Sequence, residues 1–272
     1  MKQIITKTVA GFFRAKCQYR ASALAYTTAL AFVPFLSVIV ALLSKFAISS
    51  STIVSVQEFI FKNFVPSQGE KILDYVQQFT VQAQEMPKIG FCFLIVMTVV
   101  LLSLVGKNIN RLWHIRESRR WYRRQATYFL ILIAVPVFML LSLTLSSYFY
   151  SVEWLAENGV LIAVRTEVLR YLPSIIELIG FTLLNWMVPN CKVQLRYAVL
   201  GGILTTALFE CIKLGFSLYL DLFPAYNLLY GALAIVPIFL VWLYLFWMVV
   251  MLGTVFVYVC QREYSVEPKM GN

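Results

Sequence analysis

The segment Val199–Leu220, VLGGILTTALFECIKLGFSLYL, is apolar for long enough to cross a bilayer as a helix, yet it carries Glu210 and Lys213. An ion at the hydrocarbon centre costs about 2.5–3.5 kcal/mol on insertion scales, so these charges must face other helices or a watery cavity. At 3.6 residues per turn, Gly202, Thr206, Glu210, Lys213 and Ser217 follow one another at steps of four, four, three and four, and form one small-and-polar stripe. Leu204, Leu208, Ile212 and Leu218 lie mostly away from it. Such a helix requires a bundle around its stripe.

Composition agrees. Hydrophobic residues make up 60% of the 272-residue chain and charged residues 13%, against about 45–50% and about 25% in soluble domains. The predicted fold is all-α: a polytopic membrane bundle of six transmembrane helices, with short amphipathic helices in the first external loop. Residues 1–20 form a basic amphipathic cytoplasmic segment, 21–260 the membrane domain with an external cap at 51–84, and 261–272 a cytoplasmic tail.

The N-terminal segment interleaves Lys2, Lys7, Arg14, Lys16 and Arg20 with Ile4, Ile5, Val9, Phe12 and Phe13, a pattern suited to an anionic membrane face. The first apolar run starts near Ser22, exceeds a signal-peptide core and lacks a small-x-small cleavage site, so it reads as a retained span. The six spans are expected near 22–43, 89–106, 126–149, 173–188, 199–220 and 232–259. Pro34 is expected to kink or break the first, and Pro237 to kink the last. The stretches TIVSVQEFIFKNFVP and EKILDYVQQFTVQ place apolar residues at helical intervals and make the cap.

Lys and Arg cluster at the N terminus, at Lys107–Arg124, at Lys192–Arg196 and at the C terminus, whereas acids prefer the other loops. The positive-inside rule then puts both termini in the cytoplasm of a plasma-membrane protein. The formal charge of +10 needs no nucleic acid to explain it, because a lipid-facing anchor accounts for the Arg-rich loop.

Enzyme chemistry finds little to work with. The single histidine, His114, has no nearby co-ligands in the sequence and reads as a headgroup-level or solvated residue. Gly106-Lys107-Asn108 lacks the first glycine and the hydroxyl of a phosphate-binding loop. Cys17, Cys92, Cys191, Cys211 and Cys260 are scattered without a CxxC. The expectation is a protein that is not an enzyme, with no metal, no cofactor and no nucleic-acid partner.

Glu210 and Lys213, with Thr206, Ser217, Asn185 and Glu177, are the candidate substrate- or lipid-binding residues, since intramembrane ionisable groups mark pathways or relays. Equally, Glu210 and Lys213 suit an intrahelical ion pair, shared with Asn185 or Glu177, that locks helix packing. Tyr26, Pro34, Tyr230 and Pro237 are candidate gates or hinges, with ordinary interfacial and packing roles as the competing reading.

The stretches ASALAYTTALAFVPFLSV, FVPSQGEKILDYVQQF, NRLWHIR and ALFECIKLGFSLYLDLFPAYNLLYGALAIVPIFLVWLYLFWMVVMLG resemble the YihY/BrkB family of bacterial inner-membrane proteins over nearly the whole chain. The resemblance implies six spans with cytoplasmic termini and no established activity. Members have carried the label ribonuclease BN, for which these residues supply no site, and a virulence-factor label that describes a context. Some relatives have been proposed to export lipids or lipid A precursors, and FECIKLGF with Glu210 and Lys213 matches a family hallmark. Many relatives show an acid in a Gly-Ala-Glu pattern near the end of the last span, where this chain reads Gly253-Thr254-Val255, so a role of that acid does not carry over.

Two functions remain open from sequence. One is a transporter-like or lipid-handling protein in which the fifth helix meets the first, fourth and sixth, Lys213 attracts an anionic headgroup and Glu210 tunes it. The other is a non-catalytic scaffold or envelope-assembly partner, with homo-oligomerisation open in both.

Overall fold

The structure, a computed structural model, describes residues 2–45, 88–115, 159–222 and 235–264. Six helices lie among the described residues: α1 (Lys2–Arg14), α2 (Cys17–Lys45), α3 (Lys88–Leu112), α4 (Gly159–Met187), α5 (Leu195–Leu222) and α6 (Ile235–Tyr264). The expected third span at 126–149, the cap at 51–84, Arg116–Arg124 and Tyr230 lie outside the described residues. The stretches Leu195–Leu220 and Val236–Glu263 are long and apolar enough to cross a bilayer, and Pro173–Met187 is a shorter apolar stretch.

The helices differ in extent from the expected spans. The basic amphipathic helix ends at Arg14, and α2 starts at Cys17 instead of near Ser22. Lys16, at φ 52°, makes the corner between them in the left-handed region. The α2 helix runs through position 34 without a break. The α3 helix continues past the expected second span to Leu112, because Ile109 and Leu112 recur at a helical interval and are buried, while Lys107 and Arg111 face outward. The α4 helix begins at Gly159, so Pro173, where the expected span and the apolar stretch both start, sits inside it. Apolar residues at helical spacing in GVLIAVRTEVLRYL extend it. Pro237 falls in the first turn of α6, where its missing N–H has no intrahelical acceptor to lose; it starts the helix and does not kink its middle.

The hub is α6, which packs on α2, α5 and α1 and more lightly on α3 and α4. Its Val250, Met251, Thr254 and Val257 are essentially inaccessible. Lipid tails are as apolar as leucine, so helices associate in a membrane by close packing and interhelical hydrogen bonds. Both are present. A Cβ on Gly253 of α6 would collide with the Thr205 hydroxyl of α5, and one on Gly202 of α5 would collide with the Thr182 hydroxyl of α4. Only glycine at these two positions lets α5 lie this close to both neighbours. Thr254 donates to Asn185 Oδ1 of α4 at 3.0 Å, and Trp247 Nε1 donates to Thr28 of α2 at 2.9 Å. An aromatic knot of Phe181, Phe209, Phe216, Trp242 and Phe246 fills the space between α4, α5 and α6.

One end of the bundle gathers the start of α1, the end of α3, the α4–α5 turn and the end of α6. Asn110 anchors it: its Oδ1 accepts from the Asn190 N–H at 2.7 Å and its Nδ2 donates to Gly106 O at 2.7 Å. Gln261 joins the α4–α5 turn twice, donating to Lys192 O and accepting from the Gln194 N–H. The α3 helix closes in a Schellman motif, with the His114 N–H on Arg111 O and the Ile115 N–H on Asn110 O. His114 takes the left-handed position, φ 56°, usually given to glycine, and lies beside the Tyr258 ring. The sequence NRLWHI is thus a helix terminator and an inter-helix anchor. The only histidine of the chain is exposed, as expected of a solvated residue, and also serves as a cap.

Candidate functional site

Two residues of α4 and two of α5 converge at the centre of the site. A short turn makes α4 and α5 antiparallel neighbours, and each offers a polar pair three residues apart: Ser174 with Glu177, and Glu210 with Lys213. Lys213 Nζ lies 2.8 Å from Glu177 Oε1 and 2.9 Å from Glu210 Oε2, so one ammonium bridges two carboxylates on different helices. Ser174 Oγ donates to Glu210 Oε1 at 2.5 Å.

Burial is graded across the triad. The Glu177 side chain is 0% exposed, Lys213 16% and Glu210 36%. The site therefore has a sealed end at Glu177 and an open end at Glu210. The Phe209 ring lies 5.2 Å from Lys213 Nζ and adds a cation–π contact. Glu177 Oε2 and Thr206 Oγ1 are buried without a hydrogen-bond partner. With every group in its ordinary ionised form, two carboxylates face one ammonium and the triad carries one net negative charge.

The expected residues divide into those the fold brings together and those it does not. Glu177, Glu210 and Lys213 meet, and Thr206 is one turn before Glu210 on the same stripe. Ser217 is half-buried, one turn past Lys213. Asn185 is elsewhere: it donates to Phe181 O and accepts from Thr254, fastening α4 to α6. Tyr26 is 62% exposed on α2. Pro34 is also on α2, and the main neighbours of α2 are α6 and α3. The stripe thus faces chiefly α4, with α6 on another side of α5, and among the described residues the first span, α2, packs chiefly on α6 and α3. Pro237 lines a different feature, an apolar cavity of about 450 Å³ between α5 and α6, with Cys211, Phe216, Tyr219, Val241 and Leu245.

Ser174 was not among the sequence candidates. It stands three residues before Glu177 on the same helical face, but the expected start of the span at Pro173 left it in the fraying end of a helix. Phe209 was equally hidden, because an aromatic beside Glu210 has many ordinary packing roles.

Two helices with membrane-length apolar stretches, α5 and α6, pack through a glycine contact, and an ion triad joins α5 to the shorter apolar stretch of α4; with the membrane-protein relatives that follow, this is the architecture of an integral membrane protein. The chain belongs to the virulence factor BrkB family, whose family model matches residues 8–272. It is 40% identical over 242 residues to a UPF0761 membrane protein of Legionella pneumophila (strain Corby), covering 89% of this chain and 58% of that one. It is 39% identical over 246 residues to a UPF0761 membrane protein of Pseudomonas aeruginosa (strain LESB58), covering 90% and 60%. A UPF0761 membrane protein of Vibrio vulnificus (strain YJ016) is 37% identical over 230 residues, covering 85% and 73%. The chain thus spans less than two thirds of the length of the Legionella and Pseudomonas relatives. No solved structure matches it.

Proposed function

We propose that the protein is a six-span inner-membrane protein of the transporter-like, lipid-handling kind, with both termini in the cytoplasm and no enzymatic activity. The observation that carries this reading is the Glu177–Lys213–Glu210 triad, sealed at one end and open at the other, in stretches of α4 (173–187) and α5 (197–220) that hold no other charged residue. Ionisable groups are costly at that depth and are retained where a polar group must be received or passed on. The orientation draws support from the gathering of Lys7, Lys107, Lys192 and Arg262 at one end of the bundle, as the positive-inside rule expects of a cytoplasmic face.

The two carboxylates around Lys213 alter how a lipid would be handled. They counter the pull of the ammonium on an anionic headgroup, so the open side at Glu210 and Ser174 suits a headgroup that brings hydrogen-bond donors as well as phosphate. The test is leaflet exchange of fluorescent phosphatidylethanolamine and phosphatidylglycerol in proteoliposomes, comparing wild type with Lys213→Ala and Glu210→Gln at matched folding. Exchange that depends on Lys213 and Glu210 supports the reading. Exchange no faster than in protein-free vesicles, or equal in all three proteins, removes it.

One observation favours a second reading. Lys213 has a carboxylate on each helix within 2.9 Å, which makes the triad a clasp between α4 and α5 for a scaffold or envelope-assembly partner. In that case the same substitutions alter stability alone.

A further inference from the structure

We propose that the triad is a proton-binding site and that the proton sits on Glu177. As the coupling site of a transporter this rests on the function proposed above; as a proton site it stands on geometry alone.

Three groups share the site and their formal charges do not balance. Glu210 is the more exposed carboxylate and is held by both Ser174 and Lys213, so it has the partners that an ionised carboxylate needs. Glu177 is the sealed one. Its Oε1 accepts from Lys213 at 2.8 Å, while Oε2 is buried and accepts nothing. A bare carboxylate oxygen without a donor is the costliest arrangement a buried acid can take, and neutralisation relieves it.

A proton on Oε2 leaves Oε1 as a carbonyl-type acceptor for Lys213, so the observed hydrogen bond survives. The Glu210 carboxylate and the Lys213 ammonium then balance, and the triad is neutral. Thr206 Oγ1, buried and unpartnered on the facing helix, adds a second unused oxygen on the same polar stripe.

Among the described residues, the charged groups around Glu177 are few. From α5 they are Lys213 and Glu210, and from α4 itself the nearest described polar neighbour is Ser174. The described part of α6 has no charged residue before Arg262, and its polar contact with α4 is Thr254 on Asn185, two turns away. A metal cation has no vacancy here, since the Lys213 ammonium already occupies the bridging position between the carboxylates. Uptake keeps the hydrogen-bond partners: a hydronium ion gives its proton to Glu177 and leaves as water, while Lys213 keeps its own proton and shifts its charge pairing to Glu210. Release restores the net negative charge.

The test is infrared spectroscopy of the full chain in nanodiscs, with glutamate labelled at its side-chain carboxyl carbon, from about pH 5 to about pH 9, the range into which burial moves carboxyl groups. Wild type is expected to show the carbonyl band of a protonated glutamic acid at neutral pH, fading as pH rises. The band should be lost in Glu177→Gln and retained in Glu210→Gln. Exchanging sodium for potassium should leave it unchanged. No protonated-glutamate band in wild type overturns the proposal, as does a band that persists in folded Glu177→Gln. If Glu177→Gln does not fold, Glu177→Asp keeps a carboxyl and should replace the labelled glutamate band with an unlabelled aspartate one; a labelled band that remains overturns the assignment. These outcomes are read without transport, so a failed lipid-exchange assay and a failed proton site are told apart.

Discussion

Lys213 of α5 reaches 2.8 Å to Glu177 of α4, 36 positions earlier, while keeping Glu210 of its own helix at 2.9 Å. Its protonation partner at Glu177 governs the first prediction. If Glu177 holds a proton, Glu177→Gln preserves both shape and charge and should change unfolding free energy by less than about 1 kcal/mol. If Glu177 is ionised, the same change breaks a buried ion pair and should cost about 3–5 kcal/mol. Thermal or denaturant unfolding in detergent, followed by tryptophan fluorescence, distinguishes the two.

Glycine contacts set the spacing of α5. Gly202→Ala meets the Thr182 hydroxyl and, at 3.2 Å, the backbone oxygen of Leu178, and Gly253→Ala meets Thr205, whose hydroxyl is already committed to Gly201 O. Each should cost about 1–3 kcal/mol by overpacking. Gly180 on α4 has open space where its Cβ would go, so Gly180→Ala should stabilise by up to about 1 kcal/mol through helix propensity. A series in which all three alanines behave alike would contradict the packing described.

The α1 helix is held by burial more than by charge. Phe12 is buried against the core, whereas the Lys7–Glu263 pair is 50% and 38% exposed. Phe12→Ala should cost about 3–5 kcal/mol and make the helix a protease target. Lys7→Ala should stay within about 1 kcal/mol and leave it protected. Limited proteolysis with mass mapping of the first cleavage checks both.

Cys17, at the start of α2, lies outside the apolar stretch. Burial pushes its thiol from the ordinary 9.0 up to about 11, with the nearby Arg20 pulling slightly the other way. The thiolate is the reactive species, so folded protein should resist maleimide at Cys17 near neutral pH and label faster only as pH approaches that value. The unfolded chain should label at lower pH. Rapid labelling of folded protein near neutrality would show that the site is not closed.

Several features could be read from residue order because they follow from local periodicity and composition. The membrane character, the helical runs around Ser22–Leu43, Ile89–Gly106 and Val199–Leu220, and the polar stripe of α5 belong to this group. So does the presence of Glu177 among the candidates, since any ionisable group in an apolar run is conspicuous. Helix ends were less legible: Pro173 does open the apolar stretch, but the helix itself continues back to Gly159.

The chain by itself determined that Glu210 and Lys213 share a helical face, because 3.6 residues per turn makes that a local matter. Only tertiary structure decided that Lys213 takes a second carboxylate, that Ser174 supports Glu210 and that Asn185 turns away to Thr254. Those choices depend on how closely α4, α5 and α6 approach. That distance is set jointly by Gly202, Gly253 and the aromatic knot, residues whose partners lie far off in sequence. An intrahelical ion pair and an interhelical triad have the same local pattern; the difference lies in which helix face is pressed against the next.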